Sequence, residues 1–347
     1  MRRLAIVVIL LSFLVFPVQA MDFSAPEAPE GVAELIPENA DSFGEGLWNV
    51  VVWALRQADD SLDEAISVCV SVLAVILISA VLTEVSKLSS AKAIHLCAVI
   101  TLAGVLLSPS STLISLAVET SSELNAYGKL LLPVMTSALA ARGGVSSSAS
   151  LYAATAMFNA FLSSMMTNLG TTMLYLYLAL SIGAATVSTP ILTRLRDLIH
   201  WGMTWVMKIT LYLFTGYITV TGVVAGNVDA ASLRTAKIAI SGAVPIVGGI
   251  LSDASEAVLV SAGTLGSAAG VYGMITILAM FSGPFVRIGI QYLLLSATAA
   301  IGQSIDESRI SGLVSSFTAA LGVLLAMIST QTVLLLISTL CFMKGVT

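Results

Sequence analysis

Long apolar runs alternate with short polar stretches along most of the chain. An apolar run of about 18 residues or more is long enough to cross the hydrocarbon core of a bilayer as a helix. The pattern predicts two spans within Ser148–Pro190, and one each at Ala65–Leu82, Ala93–Ser108, Met203–Ala225, Thr264–Phe281, Phe285–Ile301 and Gly312–Met343. We therefore expect an all-α, polytopic membrane protein with six to eight transmembrane helices.

One apolar stretch, Ser110–Ala141, is interrupted by Glu119, Glu123 and Pro133. These interruptions favour amphipathic or buried helices with a re-entrant turn at Leu132-Pro133. Irregular backbone at membrane depth is tolerated only where protein covers it or water reaches it. We expect this stretch to lie against the rest of the membrane domain.

The first 20 residues fit a secretory signal peptide. Arg2 and Arg3 precede the apolar run Leu4–Phe16, and small residues before Met21 suit a cleavage site. An uncleaved anchor is the alternative. In both cases the chain from Met21 onward is expected outside the cytoplasm, and three segments are expected: a signal peptide (1–20), an extracytoplasmic acidic segment (21–64) and a polytopic membrane domain (65–347).

The acidic segment ends in a different kind of pattern. Apolar residues recur at helical spacing across Phe43–Arg56, with Trp48 and Trp53 among them. This is typical of an amphipathic helix at the membrane interface, or equally of a helix packed on the protein's own membrane domain. After the first span, Lys87 and Lys92 predict a cytoplasmic loop by the positive-inside rule.

Composition supports the membrane assignment and excludes other classes. The 347 residues are 57% hydrophobic and only 10% charged, with a mean hydropathy of +0.98. Eleven acidic residues and one base lie between Met21 and Glu64, whereas later bases are dispersed singly, so nucleic-acid binding is not expected. Three cysteines and two histidines stand outside any metal-binding or catalytic motif, so we expect no enzyme activity, cofactor or metal.

Four glycines follow one another at helical spacing near the start of the third-last predicted span. They are Gly263, Gly266, Gly270 and Gly273, and steps of three and four residues place them on one helix face. Small residues on one face let a neighbouring backbone approach closely. The face favours helix packing within one subunit; a seam for self-association or a partner, and a substrate path, are the alternatives.

Two carboxylates precede this glycine face. Asp253 and Glu256 match a helix N-cap with its capping box before an apolar run. A coupling role for protons or ions is the alternative, and it would need burial beside a base such as Lys237 or Arg287.

The order of these parts resembles the stage III sporulation protein AE family. The strongest likeness is the segment Ser241–Ala262, followed by the glycine face, the span containing Pro284 and the loop Ile305–Ile310. A weaker likeness lies at Leu131–Gly144. Together these stretches cover most of residues 120–343.

The resemblance implies a non-enzymatic membrane subunit of the channel or secretion-like complex that links mother cell and forespore. It implies a place in the mother-cell membrane around the forespore and a need for it in late forespore gene expression. The implied partners are membrane lipid, other membrane and ring proteins of the stage III sporulation A operon, a secretion-type ATPase, and the forespore's stage II sporulation protein Q. A stand-alone secondary transporter or permease of a small solute is the competing hypothesis.

Overall fold

The computed structural model describes residues 26–29, 43–85, 91–141, 145–187, 189–220, 268–305 and 309–344. Within these ranges the structure is helical apart from short stretches beside the helices. The helices are α1 (Phe43–Val85), α2 (Ala91–Ala141), α3 (Val145–Ser164), a π-helix (Met165–Gly170), α4 (Thr171–Val187), α5 (Pro190–Val220), α6 (Ala268–Ile305) and α7 (Arg309–Lys344).

The helix α3, the π-helix and α4 form one continuous rod, so the described chain makes six rods that pack side by side. Contacts between side chains show in which direction each rod runs. Thr155 Oγ1 lies 2.7 Å from Ser338 Oγ, and Asn159 accepts a bond from Gln331, so α3 runs antiparallel to α7. Ser121 of α2 also bonds Gln331.

The remaining rods follow the same alternation. Arg196, near the start of α5, bonds Ser316, near the start of α7, and Tyr217, near the end of α5, bonds the backbone of Ser150 at the start of α3. The glycines of α6 show the direction of α1, because Gly283 lies against Trp53 and Gly302 lies against Ile76. The rods α1, α3–α4 and α6 therefore run one way, and α2, α5 and α7 run the other.

This alternation gives the bundle two distinct ends. The last residues of α1, α4 and α6 and the first residues of α2, α5 and α7 lie at one end, which we call the connection end. The opposite end, which we call the far end, holds the start of α1 and the last residues of α7.

Helix α7 is the centre of the bundle. It contacts α2, α3, α4, α5 and α6, and 94% of its most apolar 18-residue stretch is buried. A helix that is apolar on all sides is kept from water either by lipid or by other helices, and here five helices contact it. The other rods are arranged around this one.

Two apolar cores follow one another along the bundle axis. The core nearer the connection end includes Val72, Leu102 and Phe317. The core nearer the far end includes Leu131 and Leu335. The chain passes from one core to the other within α1, α2, α6 and α7.

Five of the described helices or helical runs are long and apolar enough to cross a membrane. This agrees with an all-α polytopic membrane protein. The expected six to eight spans stay a prediction, since residues 221–267 lie outside the described ranges. The expected signal peptide also lies outside them.

The expected re-entrant turn at Leu132-Pro133 is wrong. Helix α2 continues through both Pro109 and Pro133, and α6 likewise continues through Pro284. A proline costs the helix one backbone hydrogen bond, the bond to the carbonyl four residues earlier. The helix continues despite this loss, and nearby Thr136 Oγ1 pairs within the helix by donating to the carbonyl of Leu132.

The stretch Phe43–Arg56 forms the first part of the long helix α1, so the expected boundary at Glu64 falls inside one helix. Val50 and Ala54 are buried, and Trp53 contacts Gly283 of α6. Of the two interpretations of this stretch, the contacts favour packing on the protein's own bundle.

The pairing of α3 with α7 can be tested by a disulfide between Thr155→Cys and Ser338→Cys in a chain whose native cysteines are replaced by alanine. The two hydroxyl oxygens are 2.7 Å apart, so the sulfurs that replace them are expected to bond on mild oxidation. After oxidation the chain is denatured and treated with a maleimide mass tag, and the measurement is the number of tags that it takes up. Formation of the disulfide is expected to leave neither thiol free to react with the tag. The control pairs Thr155→Cys with Thr339→Cys, whose hydroxyl faces its own helix backbone, and it should keep both thiols.

Candidate functional site

A cluster of uncharged polar side chains lies buried where α2, α3 and α7 meet. Gln331 of α7 is its hub: its amide nitrogen donates to the backbone oxygen of Ser121 at 2.9 Å and to Asn159 Oδ1 at 3.2 Å. Ser121 Oγ donates to Gln331 Oε1, and Asn159 Nδ2 donates to Asn125 Oδ1 at 3.0 Å. We call these four residues the Gln331 cluster.

Close helix packing makes the Gln331 cluster possible. A Cβ atom on Gly128 would lie 3.0 Å from both Asn159 Nδ2 and a methyl group of Leu335, so this glycine lets α2 approach α3 and α7. One turn earlier on α3, Thr155 bonds Ser338. The cluster holds three helices in one register, and it carries no charge that would suit proton transfer or metal binding.

The glycine face predicted from the sequence is described only in part. Gly263 and Gly266, like Asp253 and Glu256, lie outside the described residues. Gly270 and Gly273 are buried at the start of α6. A Cβ atom on Gly273 would lie 2.8 Å from a methyl group of Leu131, so a side chain of α2 fills the space beside this glycine. The role of the face as a partner seam stays a prediction.

Charged contacts join the rods at two points. Arg287 of α6 pairs with Glu64 of α1 at 2.9 Å. Arg196 of α5 pairs with Asp197 at 2.7 Å and also donates to Ser316 of α7 at 3.2 Å. Both pairs are partly exposed, where ion pairs contribute little free energy. The Arg196–Asp197 pair lies within α5, so the contact that joins α5 to α7 here is the hydrogen bond to Ser316.

His200 lies one turn beyond Arg196 on α5. Its ring is 5.7 Å from that of Tyr177, so it packs against α4. Among the described residues, no group of histidine, cysteine and carboxylate side chains could hold a metal ion.

An open apolar groove of about 720 Å³ lies between α3 and the second half of α5. Small residues form part of its floor, and Met157, Phe158 and Tyr212 form its walls. Met157 and Tyr212 are more than 60% exposed. The groove therefore presents an apolar surface that the described part of the chain leaves uncovered.

Sequence reasoning missed the Gln331 cluster. Gln331 stands within Ser329-Thr330-Gln331-Thr332, a polar interruption of the last apolar run, and Asn125 and Asn159 are similar interruptions of earlier runs. Polar residues inside apolar helices often bond each other across helices. That signal was present, but the pairing of these particular residues depends on packing that periodicity does not show.

Replacing the hub should destabilise the bundle. Gln331→Leu leaves the buried polar groups of Ser121 and Asn159 without their partner, at an expected cost of about 1–3 kcal/mol. The measurement is the thermal unfolding temperature of the detergent-solubilised protein. Gln303→Leu is the matched control, because Gln303 is exposed and a surface change should stay within about 0.5 kcal/mol. Equal unfolding temperatures for the two variants would contradict the role of the cluster.

The glycine face can be tested at its best-described member. Gly273→Leu should lower the unfolding temperature of the isolated subunit, because the new side chain competes with Leu131 for the same space. Gly289→Leu on the same helix is the control, since nothing lies within 4 Å of a Cβ atom there. If Gly273→Leu left the subunit's stability unchanged but abolished recovery of associated proteins, the face would be a partner seam instead.

Comparison with known proteins places this helical bundle in a family. A model of the family described as stage III sporulation protein AE matches residues 40–345, nearly the whole bundle. Stage III sporulation protein AE of Bacillus subtilis (strain 168) is 24% identical over 190 residues, which are 55% of this chain and 48% of that protein. The chain thus spans about half the length of this curated relative in the matched region, and no solved structure matches. The chain belongs to the stage III sporulation protein AE family.

Proposed function

We propose that the chain is a non-enzymatic integral membrane subunit of the channel or secretion-like complex that links mother cell and forespore during sporulation. The observation that carries the proposal is the family match over residues 40–345, which coincides with a bundle of long apolar helices. In this proposal the subunit is needed for late forespore gene expression and for spore formation.

The charges suggest how the subunit is oriented. Lys87 and Lys92 flank one short connection, Arg194 follows the second, and Arg309 follows the third. Short loops rich in Lys and Arg stay in the cytoplasm. The connection end would therefore face the mother-cell cytoplasm, and the far end would face the forespore.

Partners follow from the same proposal. A secretion-type ATPase would meet the cytoplasmic connection end. The ring-forming proteins of the stage III sporulation A operon, and stage II sporulation protein Q from the forespore, would lie on the side of the far end. The groove between α3 and α5 supplies an uncovered apolar surface for another subunit of the complex.

The competing hypothesis is a stand-alone transporter of a small solute. It would use a coupling carboxylate, with Asp253 and Glu256 as the candidates from the sequence. The Gln331 cluster is uncharged and its members bond one another, so it supplies no such group.

Deletion of the gene in its own host tests the proposal. We expect loss of heat-resistant spores and of late forespore reporter expression after engulfment, with normal vegetative growth. Restoration by the full-length chain is the control, and restoration by Asp253→Asn with Glu256→Gln would count against the transporter. Normal spore numbers in the deletion strain would overturn the proposal.

A further inference from the structure

The rods are too long for the bilayer that they cross. Helix α1 has 43 residues and α2 has 51, so at about 1.5 Å per residue they measure roughly 64 and 76 Å. The hydrocarbon core is about 30 Å thick. Fitting α2 inside it would need a tilt of about 65°, whereas transmembrane helices tilt by about 0–40°. A large part of these helices must lie outside the hydrocarbon.

The exposed side chains of α1 change character at Glu64. Towards the connection end they are apolar, as at Ile66, Val70, Ile78 and Val81. Towards the far end Trp48, Val51 and Leu55 are exposed, but polar and charged side chains share that surface: Glu45, Arg56, Gln57, Asp59, Asp63 and Glu64. Placing a charged side chain against lipid costs free energy, so the surface of α1 from Glu64 towards the far end is suited to water.

Helix α2 changes in the same way. Near the connection end it exposes Leu96, Ile100 and Leu107. From Glu119 to the end of α2 the exposed side chains are mainly polar or small, with Leu130 as the exposed large hydrophobic residue: Glu119, Ser122, Glu123, Ala126, Lys129, Pro133 and Ser137. Two helices therefore switch from an apolar to a polar exposed face.

The two switches lie at the same height in the bundle. On α6, Arg287 pairs with Glu64 of α1, and Gly273, which is 14 residues earlier, contacts Leu131 of α2. Since α2 and α6 are antiparallel, the residue of α2 level with Arg287 is about 14 positions before Leu131, close to Glu119. One plane across the bundle passes through both switches.

The interior changes at the same plane. The core on the connection side contains Ile288 of α6 and Leu113 of α2, whereas the core on the far side contains Met280 of α6 and Leu124 of α2. On the connection side, Ala65–Val85 would rise about 32 Å, which matches one bilayer. On the far side the apolar parts of α6 and α7 are buried within the bundle, whereas α3 and α5 leave their apolar groove exposed.

From these observations we propose that the bilayer covers only the connection-side half of the bundle. The far-side half is a helical domain that stands about 30 Å out of the membrane, with its α1 and α2 faces in water. The proposal rests on helix lengths, exposed charges and contacts, and it does not depend on the proposed function.

Cysteine labelling in intact membranes tests it. Single cysteines are introduced into the full chain, with Cys69, Cys97 and Cys341 replaced by alanine. Asp59→Cys on α1 and Ser122→Cys on α2 probe the far side, and Ser71→Cys and Thr101→Cys, which are equally exposed, are their matched controls on the same helices. The probe is a membrane-impermeant sulfonated maleimide, applied to both sides of opened membrane fragments and then again after detergent solubilisation.

We expect the far-side cysteines to react at least about tenfold faster than their controls in membranes, because only a water-exposed thiol ionises and reacts readily. All four should react alike in detergent. Far-side thiols that react only after detergent would overturn the proposal, and so would controls that react fully in membranes. The α1 and α2 pairs are independent, so a variant that fails to fold leaves the other pair to decide.

Discussion

The burial of α7 is the constraint on which the other contacts depend. Its backbone is satisfied within the helix, but its polar side chains have no solvent to bond. Some of its hydroxyl groups bond locally, as when Thr332 donates to the carbonyl of Ile328 four residues earlier, whereas Ser329 Oγ and Thr330 Oγ1 have no partner among the described residues. Gln331 carries two donors and an acceptor on a long side chain, so it needs partners from other helices. Ser121 and Asn159 supply them, and this sets the register of α2 and α3 against α7.

The prolines show what sequence patterns can and cannot settle. Pro133 predicts a break in the helix, because a proline inside a helix lowers its stability by about 3 kcal/mol. Beyond it, however, Met135 and Leu139 are buried in the far-side core with Leu131 and Leu132. Burying each such side chain contributes about 1.5–3 kcal/mol, so packing outweighs the local cost. The helical class and the apolar span after Ala65 could be predicted from the sequence, but this balance depends on tertiary partners.

The glycine face makes the same point for a site. Spacing alone places Gly270 and Gly273 on one side of a helix, and the structure keeps both buried. The sequence does not say which side chain approaches that side. At Gly273 it is Leu131, a residue of a helix far earlier in the chain. The Gln331 cluster was missed for the same reason, since its members come from three helices whose proximity no local pattern encodes.

The family match shows which part of the chain relatives share. It covers residues 40–345, and the described bundle runs from Phe43 to Lys344. At 24% identity to the Bacillus subtilis protein, most side chains differ, and such a fold persists because volume and polarity patterns are kept rather than individual residues. The Gln331 cluster is a contact set that depends on such a pattern, since polar side chains of three helices must meet in one register to stabilise the bundle.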